Sequence, residues 1–143
     1  MSLLDFGKRK KEKAAQEDPD ILYLLNRLHI AIGEEFKEGL IGKTHQGYLS
    51  KSKRIGVLPA ESFPPYKSKL KKIEKEELIR AEKYVGVLGG TLVEYDIFHK
   101  VTKALDKDKT EYTILINKNM EMPLIICTKY ANIIIAPVMR SYD

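Results

Sequence analysis

Between Glu111 and Met139 the chain is built from short aliphatic runs separated by Asn and Pro clusters that are too brief for helices. Residues 114–116, 124–126 and 133–135 each supply three apolar, mostly β-branched positions, which predicts the three strands of an antiparallel meander. None of the three alternates strictly with polar residues, so both faces of their sheet are expected to be covered. Upstream, Ile21, Leu24, Leu25, Leu28, Ile32 and Phe36 recur at spacings of three and four and predict one amphipathic helix over residues 19–38. Asp18-Pro19-Asp20 suits its start, and Gly39 is placed to end it. A second helix is predicted over 95–105, with Ile97, Phe98, Val101 and Leu105 on one face and His99, Lys100 and Lys103 on the other.

The intervening stretch is harder to pattern. Residues 55–58 read as a short strand, and Pro59, Pro64 and Pro65 then impose an extended loop around Phe63. Residues 73–83 read as a short charged helix, with Glu76 and Arg80 four apart. Residues 84–88 and 91–94 read as a hairpin closed by Gly89-Gly90. Together these elements predict a single α+β domain over residues 18–143. Its antiparallel sheet has four to six strands, a C-terminal strand-helix-three-strand unit and two covering helices. Residues 1–17 form a flexible basic N-terminal arm in this reading.

Composition agrees with a globular protein. At 143 residues, 43% hydrophobic and 31% charged, the chain fits one core and is neither disordered nor membrane-spanning. Leu3, Leu4 and Phe6 precede the basic residues of the arm, the reverse of a secretory signal, so a cytoplasmic location is expected. The one cysteine, Cys127, lies in a predicted strand and is read as a small packed hydrophobe. The abundance of Lys and Glu, with two Gln and no Trp, is thermophile-like.

The net charge of +5 is uneven. Residues 18–42 carry two basic and five acidic groups, and residues 43–83 carry eleven and five, giving −3 and +6. The excess therefore sits in mid-chain, around Lys51, Lys53, Arg54, Tyr66, Lys67, Lys69, Lys71 and Lys72. Cations interleaved with an aromatic ring are what backbone-reading nucleic-acid surfaces use, the cations meeting phosphate and the ring stacking on a base. The plainer reading is a solvated lysine-rich loop with Phe63 and Tyr66 turned inward as its anchor, and a third is an acidic protein surface as the partner of the same cations.

Catalytic signatures are missing. Gly39-Leu40-Ile41-Gly42-Lys43-Thr44 resembles a phosphate loop but has two residues, where four are needed, between its first glycine and the Gly-Lys pair. Gly86, Gly89 and Gly90 lack the spacing of a dinucleotide fingerprint. His29, His45 and His99 have no metal-ligand spacing with another ligand-type residue. The reading is thus of a non-enzymatic binding module without cofactor or metal, working in a nucleic-acid-linked assembly. The alternative is a viral or accessory factor that binds a protein machine through a sheet edge or through the apolar hook Leu3, Leu4, Phe6. A homo-oligomer paired through a sheet edge is compatible with either.

Three short motifs add a resemblance: Val101-Thr102-Lys103-Ala104 in the second helix, Met122-Pro123-Leu124 opening a strand, and Ile135-Ala136-Pro137-Val138 closing the last. Together with the order strand, helix, strand, strand, strand, they make residues 91–139 similar to the closing half-domain of a sliding clamp of the proliferating-cell-nuclear-antigen type. Residues 1–90 contain no second copy of the pattern, so the resemblance implies a clamp-like module and not a full clamp. It implies that Lys100 and Lys103 lie on the side facing DNA.

Overall fold

The computed structural model describes residues 18–42, 45–62, 70–118 and 121–138. Helix α1 (Pro19–Ile32) starts where Pro19 fits the first helical position and the Asp18 carboxylate accepts hydrogen bonds from the amides of Asp20 and Ile21. It ends six residues earlier than the apolar spacing predicts. Gly33 takes the left-handed conformation at φ 73°, and its amide closes the helix on the His29 carbonyl. Phe36 therefore leaves the helical stripe and opens strand β1 (Phe36–Ile41), of which Gly39 is an interior residue. Strands β2 (His45–Ser50) and β3 (Ile55–Pro59) follow as hairpin partners.

Residues 73–83 are not a helix. Ile73 closes strand β4 (Lys71–Ile73), which pairs with the meander, and a single 3-10 turn (Lys75–Glu77) leads to strand β5 (Ile79–Ala81). A ladder on an open sheet edge wins here because the segment has too thin an apolar stripe to bury as a helix. Strands β6 (Tyr84–Gly86) and β7 (Leu92–Glu94) form the predicted glycine-turn hairpin, with Gly89 at φ 73°. With β5 they make a separate sheet of three strands. Helix α2 (Tyr95–Lys107) continues directly from β7, and β8 (Tyr112–Ile116), β9 (Leu124–Thr128) and β10 (Ala131–Ile135) complete the meander.

The main sheet has seven strands in the order β1-β2-β3-β10-β9-β8-β4, all neighbours antiparallel, one more than the upper bound expected. Its register lines up one row of directly opposed residues: Ile73, Ile114, Ile126, Ile133, Val57, Tyr48 and Glu38. The apolar members of this row belong to the large core, which α1 covers with Ile21, Leu24 and Leu28 and α2 with Ile97, Phe98, Val101 and Leu105. The opposite face has a smaller cluster of Leu58, Ile125 and Ile134, flanked by Ile41, Leu70, Leu115 and Cys127. Cys127 packs against this cluster as the small hydrophobe its strand position predicts, although it is only partly buried. On this face the Asn132 side-chain amide donates to the carbonyls of Pro59, Ala60 and Ser62, holding the end of β3 to β10. Gly47 and Gly56 leave room for Ile41: a Cβ on Gly47 would lie 2.6 Å from the Val57 carbonyl and 2.7 Å from Ile41.

The small sheet is fastened to one end of the large one. The Thr91 hydroxyl donates to the Asn117 carbonyl, the Asn117 amide donates back to Thr91, and the Val138 amide donates to the Leu92 carbonyl. The two helices are joined by Arg27, whose Nε lies 3.1 Å from the Asp108 carboxylate, and by Tyr23, which donates to the same group. The sheet-plus-two-helices architecture is thus an α+β fold with the strand-helix-three-strand unit at its C-terminal end.

Two stability effects follow from this packing. Leu28 is 0% exposed, and Leu28→Ala is expected to lower unfolding free energy by about 2–5 kcal/mol in denaturant titration. Gly47→Ala, which forces a methyl group against backbone, is expected to cost about 1–3 kcal/mol in the same assay. An unchanged midpoint for either variant would contradict the corresponding contact.

Candidate functional site

Among the described residues the sequence-predicted mid-chain cations fall into two groups. Lys51, Lys53 and Arg54 lie in the β2–β3 turn, where the φ of Lys53 is 62°. Lys71 and Lys72 lie on the edge strand β4, separated from β3 by β10, β9 and β8. Four strand spacings amount to about 19 Å, so the two groups cannot grip the same phosphate. Tyr66, Lys67 and Lys69 lie outside the described residues, as do Phe63 and the arm.

Arg54 is committed to an internal network. Its guanidinium lies 3.2 Å from Glu34 and 3.0 Å from Glu94, and its Nε donates to the Ser52 hydroxyl. Glu34 also accepts from the Ser52 amide at 2.6 Å and from the Ser52 hydroxyl at 3.0 Å. This corner ties the turn after α1, the β2–β3 turn and the start of α2 together. Burial pushes the Glu34 carboxyl upward, but the Ser52 hydrogen bonds and the Arg54 charge outweigh it and hold the carboxyl below its ordinary value. Arg54 therefore acts as a clasp between elements, and the spacing of the sequence gave no sign of either acidic partner.

Next to this corner is a cleft of about 570 Å³ between the small sheet, the start of α2 and the end of β10. Arg54, Arg80 and Lys83 face Glu82, Glu94 and Asp96 across it, so its walls are balanced in charge. The Arg80 guanidinium sits 3.6 Å above the Tyr95 ring, which stacks in turn on His99. Among the described residues no group of three or more His, Cys, Asp or Glu is placed to hold a metal ion.

Lys100 and Lys103, which the sequence put on the outer face of α2, line a groove between the helices together with Lys107 and Arg27. Ile30, Ala31 and Ala104 form its apolar part, and Ile30 is 64% exposed. Lys100 pairs with Asp96 at 2.9 Å and Arg27 with Asp108, whereas Lys103 and Lys107 have no ion pair among the described residues. Lys107 follows Lys103 by one helical turn and was readable from sequence as part of the same stripe. Arg27 was not, because only the packing of α1 on α2 carries it there.

The Glu34 corner predicts a pH dependence. A carboxyl whose pKa is lowered by folding contributes stability that is complete above its unfolded value, 4.5, and is lost as pH falls through the lower folded value. Thermal unfolding should therefore show a gap between the wild type and Glu34→Gln at about pH 6 that closes toward about pH 3. A gap independent of pH would mean that the Glu34 charge contributes nothing.

Compared with family models, with curated proteins and with solved structures, this chain matches none.

Proposed function

We propose that this chain is a non-enzymatic binding module that meets the phosphate backbone of a nucleic acid through its helix layer, as part of a nucleic-acid-linked assembly. The observation that carries this reading is the convergence of Arg27, Lys100, Lys103 and Lys107 on one groove, with two of the four lacking an acidic partner among the described residues. Lysines without an acidic partner can neutralise phosphates at the protein surface, and each such contact releases counterions condensed on the nucleic acid. Lys100, Lys103 and Lys107 follow each other at spacings of three and four, a stripe about 10 Å long that parallels a strand of the backbone. The sliding-clamp resemblance implies the same face, since it turns Lys100 and Lys103 toward DNA. Phosphate contacts of this kind position a protein without reading sequence. Lys51, Lys53, Lys71 and Lys72 then act as a diffuse positive field that raises the encounter rate.

Fluorescence anisotropy with a labelled duplex and a labelled single strand, titrated from low salt, tests the proposal. Lys103→Ala and Lys107→Ala should each lower the slope of log affinity against log salt by about one unit while leaving sequence preference unchanged. Lys71→Ala with Lys72→Ala should leave that slope nearly alone. No binding at low salt to either nucleic acid would overturn the proposal. A loss confined to the Lys71 and Lys72 variants would transfer the contact to the sheet edge.

A further inference from the structure

The helix layer is narrower than the sheet beneath it. Two helices packed side by side cover about 20 Å, whereas the outer strands of the seven-stranded sheet are about 29 Å apart. The shortfall falls at the β1–β2 end. There a groove runs between Leu22, Leu25 and His29 of α1 and Phe36, Glu38 and Tyr48 of the hairpin. Leu40 continues the face of Phe36 and Glu38 by the period of two, and Leu40 and Leu22 are 53% and 46% exposed. Here the core-facing side of the sheet reaches solvent.

The rim of the groove is acidic. Glu35 and Glu38 line it against the single cation Lys37, and the N-cap of α1 adds Asp18 at its end. Leu22, one turn after Asp18, lines the groove with Tyr48, so the root of α1 stands at the groove. Burial raises the Tyr48 hydroxyl's pKa, and the charges of Glu38 and Asp18 raise it further. An occupant must therefore offer apolar side chains for Leu22, Leu40 and Phe36 and cations for the rim.

The chain itself holds such a segment. Leu3, Leu4 and Phe6 are followed by Lys8, Arg9, Lys10, Lys11 and Lys13, and the segment joins the fold at Asp18, beside the groove. The twelve positions from Phe6 to Asp18 can span about 40 Å, nearly twice the length of about 21 Å that the fourteen residues of α1 occupy. We propose that residues 3–13 dock into the α1/β1–β2 groove of their own chain. Leu3, Leu4 and Phe6 complete the cover that the two helices leave unfinished, and the basic residues meet Glu35, Glu38 and Asp18. The proposal is independent of the nucleic-acid reading, which uses the other flank of α1.

Photo-crosslinking in the full chain tests it. With benzoylphenylalanine in place of Leu4, irradiation should give a monomeric adduct whose crosslink maps by mass spectrometry to residues 19–40. Leu40→Lys and Leu22→Lys alter exposed positions, and circular dichroism would verify their folding. Each should cut the adduct yield about tenfold, a loss of about 1.4 kcal/mol in docking. Raising the salt concentration should lower the yield further, because the rim contacts are exposed. Absence of an adduct, an adduct on α2 or β4, or a yield unchanged in both variants would overturn the proposal. Adducts found only between chains would overturn it in favour of arms exchanged between two copies.

Discussion

Water has to be kept off one row of side chains that crosses the sheet from Ile73 through Ile114, Ile126, Ile133 and Val57 to Tyr48. Burying each such aliphatic group contributes about 1.5–3 kcal/mol, and no strand of the sheet can supply its own cover. Leu24 and Leu28 from α1, with Phe98 and Val101 from α2, provide it. That contact brings Arg27 over Asp108 and turns the polar face of α2 outward.

The same contact sorts the charges. Cations drawn close to the seams between elements acquire acidic partners, as Arg54 does between Glu34 and Glu94 and Arg27 does at Asp108. These pairs are part-exposed and individually modest in stability, but they fix the turns that they join. Of the cations that project from α2, Lys100 pairs within its own helix with Asp96, whereas Lys103 and Lys107 have no ion pair among the described residues. A net charge spread over a chain is thus divided by packing into clasps and available contacts. The second kind adds to the field that an external partner meets.

The row also shows where the architecture is incomplete. Its seventh member is Glu38 on β1, a charged residue at the point where the helices no longer reach. Next to it Leu40 stands half-exposed on the same face. A charge on an edge strand protects it from random pairing with another strand.

The sequence by itself determined the class of the fold and most of its elements. Periodicity of three and four placed α1 and α2, aliphatic runs placed β8, β9 and β10, and Gly89-Gly90 placed a hairpin turn, because each of these signals is local. Three things were decided only in the tertiary structure. Phe36 continues a helical stripe in sequence, but the left-handed cap at Gly33 and the partner strand β2 made it the start of a strand. Residues 73–83 became strand and turn because β8 offered a ladder to Ile73 and β6 one to Ile79–Ala81, which an isolated charged helix could not match. Arg27 joined Lys100, Lys103 and Lys107, while Arg54 was withdrawn, through contacts between residues far apart in the chain. Local spacing records which face a residue occupies within its own element; which elements meet across that face is set by the burial of the whole core.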